Sequence, residues 1–255
     1  MSAFLHFLQL LLLATVISCQ DTSPAPATGP SLSFFPKPPK KWEEQTLIWY
    51  KGGENYKSWS NKLNKFLQVY EMDELTNGRQ LNLYNCDFDD FPPKGRVCRI
   101  DMKKGWGPCT KENIYGYHKH SPCVFLRIDA NRHWTPEYFN VSSELPPHAS
   151  QDLREYMNKA DGDQRKMIWV SCDGEGPVDR ENMGPLKYYP RPGFPGYFFP
   201  SLKTEGYLSP IMAVHFEKPT RGVITNVQCH MYARNIQHDI TRNIGSVHFQ
   251  LMVDD

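Results

Sequence analysis

The sequence predicts a mainly β protein, an antiparallel sandwich interrupted by helix, and three observations predict it. Several short segments alternate apolar and polar residues with a two-residue period, Gly- and Pro-dense loops separate them, and no βα alternation runs through the chain. About 235 residues follow an apolar leader, enough for one large all-β domain or two small ones.

In chain order, the first feature is an apolar run from Ala3 to Ile17, broken only by His6 and Gln9 and followed by Ser18, Cys19 and Gln20. As a helix it would span roughly 23 Å, short of the roughly 30 Å hydrocarbon core. Residues 1–19 therefore read as a secretory signal peptide, with Val16 and Ser18 as small residues before a cleavage site, or else as a short uncleaved signal anchor. Either reading places the remainder in an oxidising lumen or outside the cell.

Residues 20–44 form a Pro-rich stalk: Gln20 to Lys40 holds six prolines with Ser, Thr, Ala and Gly. The ectodomain is placed at 45–255. Its first element is an amphipathic helix over about 55 to 72, because Trp59, Leu63, Phe66, Leu67 and Tyr70 recur at helical spacing. Asn55 or Ser58 can cap it, and Asn77-Gly78 marks a turn beyond. A shorter helical signal is Leu153, Tyr156 and Met157 after Ser150, ending before Asp161-Gly162.

Strands account for the rest. Ser246 to Val253 puts Val247, Phe249, Leu251 and Val253 on one face, with Ser246, His248 and Gln250 on the other. The segment after Gly222 puts Val223, Thr225, Val227, Cys229 and Met231 inward in the same way. Further strands are expected at Val124 to Ile128, Lys166 to Ser171 and Pro210 to Phe216, with a long loop from Asp173 to Pro200.

Charge excludes one class of partner. With 29 basic against 28 acidic residues there is no net field to draw in nucleic acid or an anionic membrane. Beyond Cys19 the cysteines are Cys86, Cys98, Cys109, Cys123, Cys172 and Cys229, an even number, as disulfides in an oxidising compartment require. Their pairing is left open among fifteen connectivities. His118 and His120 lie just inside Cys123, but no Cys-x-x-Cys or His-x-x-x-His accompanies them, so a disulfide-closed loop is favoured over zinc.

No Gly-x-Ser-x-Gly, no Gly-x-x-x-x-Gly-Lys and no His-Glu-x-x-His is present, and no cofactor is expected. Asp173, Glu175, Asp179 and Glu181 crowd one stretch but lack the spacing of a calcium loop, so they read as a solvated acidic loop. The aromatic and proline run Lys187 to Pro200, "KYYPRPGFPGYFFP", is the most unusual composition in the chain. It suits either a stiffened partner-binding surface, with Tyr188, Tyr189, Pro190, Phe194 and Tyr197 as its contacts, or a loop folded onto its own sandwich. Asn140-Val141-Ser142 is an N-glycosylation acceptor.

Read together, "SWSNKLNKFLQVY", "RVCRIDMKKGWGPCTKENIYGY", "PCVFLRI", "MIWVSCDGEGPVDRENMGPLKYYPRPGFP", "GYLSPIMAVHF" and "VQCHMYARNI" resemble the beta subunit family of the sodium/potassium-transporting ATPase, in its insect, nervana-like form. The resemblance runs from about Trp42 to the C-terminus. It implies an immunoglobulin-like β-sandwich ectodomain with Cys86 bonded to Cys98, Cys109 to Cys123 and Cys172 to Cys229. It also implies a non-catalytic subunit that partners a P-type ATPase alpha subunit at the plasma membrane, assisting its folding, delivery and potassium affinity. Residues around Tyr188, Tyr189 and Pro190 gain weight as contact surface. The resemblance departs at the N-terminus, where members carry a cytosolic arm and a full transmembrane helix. The alternative is therefore a secreted extracellular adhesion or binding module outside any pump.

Overall fold

Alternation decides which face of each strand is buried. The computed structural model describes residues 29–39, 46–51 and 55–254, so the apolar run at 3–17 and Trp42 lie outside the described residues. In order, the elements are β1 (Ser31–Phe35), β2 (Leu47–Lys51), α1 (Tyr56–Glu71), α2 (Arg79–Asn82), β3 (Leu83–Tyr84), β4 (Val97–Cys98), β5 (Cys123–Asp129), α3 (Gln151–Lys159), β6 (Met167–Gly174), α4 (Pro177–Met183), β7 (Leu186–Tyr189), β8 (Gly193–Pro195), β9 (Ile211–Phe216), β10 (Ile224–Tyr232) and β11 (Ser246–Asp254). No helix among the described residues is long and apolar enough to cross a membrane.

Two sheets form the sandwich. One runs β1, β5, β9, β7; the other runs β2, β11, β10, β6, β8; β3 and β4 make a small separate ribbon. Pairing within the two large sheets is antiparallel except where β2 lies parallel to β11. Phe249 of β11 sits between the layers, its ring centroid 5.1 Å from that of Phe34 and 6.1 Å from that of Phe216. Thr225, Val227, Cys229 and Met231 are buried from β10 and Val247, Phe249, Leu251 and Val253 from β11, the faces that the two-residue period assigns. Val223 lies half-buried, just before β10 begins.

β5 has no such alternation because it is covered on both sides: Trp106 and Tyr115 pack on Phe125 from outside at 5.6 and 5.9 Å. On the outer face of the other sheet, α3 lays Leu153 and Met157 into a second apolar cluster with Met167, Trp169 and Tyr232. Ser150 caps α3, its Oγ accepting from the Leu153 amide. Tyr156 is largely exposed and meets Trp169 edge-on.

The helix expected at 55 to 72 is α1, which buries Trp59, Leu63, Leu67 and Tyr70. Asn55 occupies its N-cap position without capping it. The Asn55 Oδ1 accepts instead from the Lys51 amide at 2.7 Å, and Trp59 Nε1 donates to the Trp49 carbonyl, so both contacts tie the helix to β2.

Two segments differ from the reading of composition. Ser31–Phe35, within the stretch assigned to the stalk, is a strand paired to β5 with Leu32 and Phe34 buried; prolines on either side masked a short alternating run. The stretch 173–200 is built from the end of β6, α4, β7 and β8 rather than from loop. Within it α4 starts with Pro177 in its first turn, and Asp179 Oδ2 accepts from the Gly176 amide.

The three disulfides are Cys86–Cys98, Cys109–Cys123 and Cys172–Cys229. The last joins directly opposed residues of β10 and β6, with Cα atoms 4.0 Å apart, so it staples neighbours within one sheet rather than one sheet to the other.

Candidate functional site

The aromatic and proline run is a corner at which the chain passes from one sheet to the other. Tyr188 and Tyr189 stand in β7 opposite Val214 and Ala213, and four residues later Gly193 begins β8 against Trp169 of β6. The run therefore closes one side of the sandwich, and its five expected contact residues have three different fates.

Phe194 is fully buried in the core, paired in register with Ile168, and presents nothing to solvent. Tyr188 braces the two sheets. β8 covers β6 only as far as Trp169, and beyond it Pro192 O accepts from Val170 N while the Tyr188 hydroxyl accepts from Cys172 N at 2.9 Å. Burial pushes the Tyr188 phenol pKa well up. Tyr189, Pro190 and Tyr197 remain at the surface to differing degrees. Pro190 is exposed, and the two tyrosines are half-buried.

Each flank of the corner leans on a disulfide-bonded segment. Tyr189 and Pro190 pack over Gly107 and Gly105, beside Cys109; a Cβ at Gly107, whose φ is +52°, would enter the Tyr189 ring. Tyr197 meets Phe88 and Phe91 edge-on, and the Arg191 guanidinium lies 4.8 Å from the centre of the Phe88 ring, inside the loop closed by Cys86–Cys98. Lys187 is ion-paired to Glu217 at 2.6 Å. Within the run, Lys187, Tyr189, Pro190, Arg191 and Tyr197 keep solvent-accessible surface. Arg191 and the Gly105-Trp106-Gly107 support went unread as site residues because neither carries a periodic or catalytic signature.

The remaining candidates have structural occupations. Asp173 pairs with Arg180, Asp179 accepts from the Asn226 and Gly176 amides, and Glu175 lies 3.4 Å from the His248 imidazole, so one of the four clustered acids is an ion-pair partner, one a cap and one an imidazole's neighbour. Those amides hold the Asp179 carboxyl below its usual range. His118 and His120 sit inside the Cys109–Cys123 loop, where His120 ends a turn in left-handed conformation. Among the described residues no group of three His, Cys, Asp or Glu is arranged to hold a metal ion. Asn140 is exposed, and its neighbour Ser142 donates to Asn158 Oδ1.

One Ser and His pair has the contact of a nucleophilic dyad and the opposite wiring. Ser121 Oγ is 2.7 Å from His215 Nε2 but donates its single proton to the Phe216 carbonyl at 2.9 Å. With that proton on the carbonyl, Oγ meets His215 Nε2 as an acceptor, the reverse of a nucleophile handing its proton to a base. Its Nδ1 is buried without a hydrogen-bond partner.

A separate cleft of about 630 Å³ opens on the outer face of the five-stranded sheet, between Asp173 and Gly174 of β6, His230 and Tyr232 of β10, and the loop after β10. It gathers His148, His230 and His238, the first far from the other two in sequence, and no spacing signal joins them.

Comparison with known proteins bears on the whole chain. A family model described as "Sodium / potassium ATPase beta chain" matches residues 1–249. The chain is 51% identical over 232 residues to "Sodium/potassium-transporting ATPase subunit beta-2" of Drosophila melanogaster, covering 89% of this chain and 72% of the relative. It is 33% identical over 231 residues to subunit beta-1 of the same organism, with 89% and 72% covered. Identity to "Sodium/potassium-transporting ATPase subunit beta-2" of Homo sapiens is 25% over 232 residues, covering 85% of this chain and 70% of the relative.

Proposed function

We propose that this chain, which belongs to the sodium/potassium ATPase beta chain family, is a non-catalytic subunit that binds a P-type ATPase alpha chain through its extracellular sandwich. The 51% identity to an insect beta subunit across 89% of the chain carries this reading. One structural feature supports it: the three disulfides suit an extracytoplasmic domain. In this role the chain assists folding of alpha, its delivery to the plasma membrane and its affinity for potassium. The ridge of Tyr189, Pro190, Arg191 and Tyr197 is the contact surface, held rigid from behind by Tyr188 and Phe194. No cofactor takes part, and membrane association is through alpha or an N-terminal anchor.

Coexpression with an alpha subunit tests both the partner and the anchor, using a C-terminal tag, carbonate-washed membranes, the medium and N-terminal sequencing of the product. Co-purification of alpha from membranes is the expected result, weakened by Tyr189→Ala with Pro190→Ala while secretion competence and fold persist. A product that starts near Gln20 and accumulates in the medium without alpha would instead establish the second reading, a secreted beta-like binding module. Unchanged alpha association in the double variant would remove the ridge from the interface.

A further inference from the structure

His230 projects from the outer face of β10 toward two more imidazoles, one from each side of the cleft. His148 precedes α3, and His238 belongs to the loop 233–245 that joins β10 to β11. Ring centroids lie 5.2 Å apart for His148 and His230, 5.2 Å for His230 and His238, and 5.9 Å for His148 and His238. Tyr232 lies against the first and third of them at 5.5 and 6.1 Å. His230 Nδ1 is buried and has no hydrogen-bond partner. Three rings this close, one with a hidden bare nitrogen, make a cluster of interacting proton sites.

The charged groups around the cleft do not offset added protons. Asp173 of β6 is paired with Arg180 of α4 at 3.0 Å, Asp239 of the loop with Arg242 at 2.7 Å, and Glu175 approaches His248 of β11 at 3.4 Å. Arg154 of α3 is pinned by the Ser142, Leu145 and Pro146 carbonyls and acts on His148 as a like charge. Each nearby carboxylate already has a cationic or imidazole neighbour, so imidazolium charges would meet one another.

The loop carrying His238 also holds the beginning of the first sheet. His238 Nε2 contacts the Met231 carbonyl at 2.8 Å, Gly245 N donates to Pro30 O at 3.0 Å, and Leu32 N donates to Asn243 O at 2.8 Å. Ile236 and Ile244 pack against Gly29. The state of the cleft is thus connected mechanically to residues 29–32.

We infer that His148, His230 and His238 form a pH-sensitive latch that closes the 233–245 loop at neutral pH and, on acidification, releases it together with the start of β1. The sign follows from linkage. Burial, then His238 and His148, depress His230 to about 4, against an unfolded value near 6.5. Burial first, then His238, also lowers His148. Groups depressed in the folded state stabilise it above the unfolded pKa, and that contribution is lost as pH falls from about 6.5 toward 4.

Hydrogen exchange of the purified full chain at pH 7.5 and 5.0, expressed as protection factors, tests the latch. Protection should fall at 29–35 and 233–245, by roughly tenfold per pH unit for each proton linked to opening, while β9 stays protected. Combined His148→Gln, His230→Gln and His238→Gln should abolish the difference. Should that variant not fold, His148→Gln, at an exposed position, decides alone: removing one like charge should move the opening midpoint to lower pH. Equal protection at both pH values, or an unshifted midpoint in His148→Gln, overturns the proposal.

Discussion

The phenol oxygen of Tyr188 supplies the acceptor that β6 lacks once β8 has ended, and it does so from the opposite sheet. Replacing it with Phe keeps the ring and its packing but leaves the Cys172 amide without a partner. A buried donor left unmet costs about 1–3 kcal/mol, so Tyr188→Phe should lower stability by that order in denaturant unfolding while secretion persists. No measurable change would mean that water reaches this edge. Such roles are poorly legible in a sequence. "KYYPRPGFP" announces aromatics and prolines, yet nothing in it separates the interior Phe194 from the exposed Pro190, because the chain changes sheets between them. The three clustered histidines are hidden more deeply still: their proximity depends on a loop returning over β10.

Elements were legible where a period survives on one buried face. β10, β11 and α1 bury most of the residues that their spacing selects, with Val223 and Phe66 left half-buried, and the helical signal after Ser150 is α3, which that serine caps. β1 was concealed by flanking prolines, and α4 by a short sequence that buries no residue and so shows no apolar period. The cysteine partners came from family resemblance rather than from spacing, and the structure shows that same pairing. Because Cys172 and Cys229 sit opposite each other in an established register, their bridge acts chiefly on the unfolded chain. It spans 57 residues against 12 for Cys86–Cys98, so the chain-entropy treatment assigns about 4 against about 3 kcal/mol. Paired Cys172→Ser and Cys229→Ser variants should lose more stability in denaturant, and be retained inside the cell more, than Cys86→Ser with Cys98→Ser. The reverse order would place the effect in native packing.

At the scale of the whole molecule, Phe249 is the contact through which both layers depend on one residue, meeting Phe34 from one edge of the facing sheet and Phe216 from its centre. Phe249→Ala opens a cavity that neither backbone layer can collapse to fill. It should cost about 3–5 kcal/mol, measured as a shift of the unfolding midpoint with little change in slope. A loss below about 1 kcal/mol would show that the layers close over the gap. The pairing of β2 with β11 has a consequence in time. Leu47 waits for Gln250, about 200 residues later, so at 5–20 residues per second its place in the sheet stays vacant for roughly 10–40 s of translation. A ribosome that stops before β11 strands β2 as well, and two stretches written far apart become legible only together.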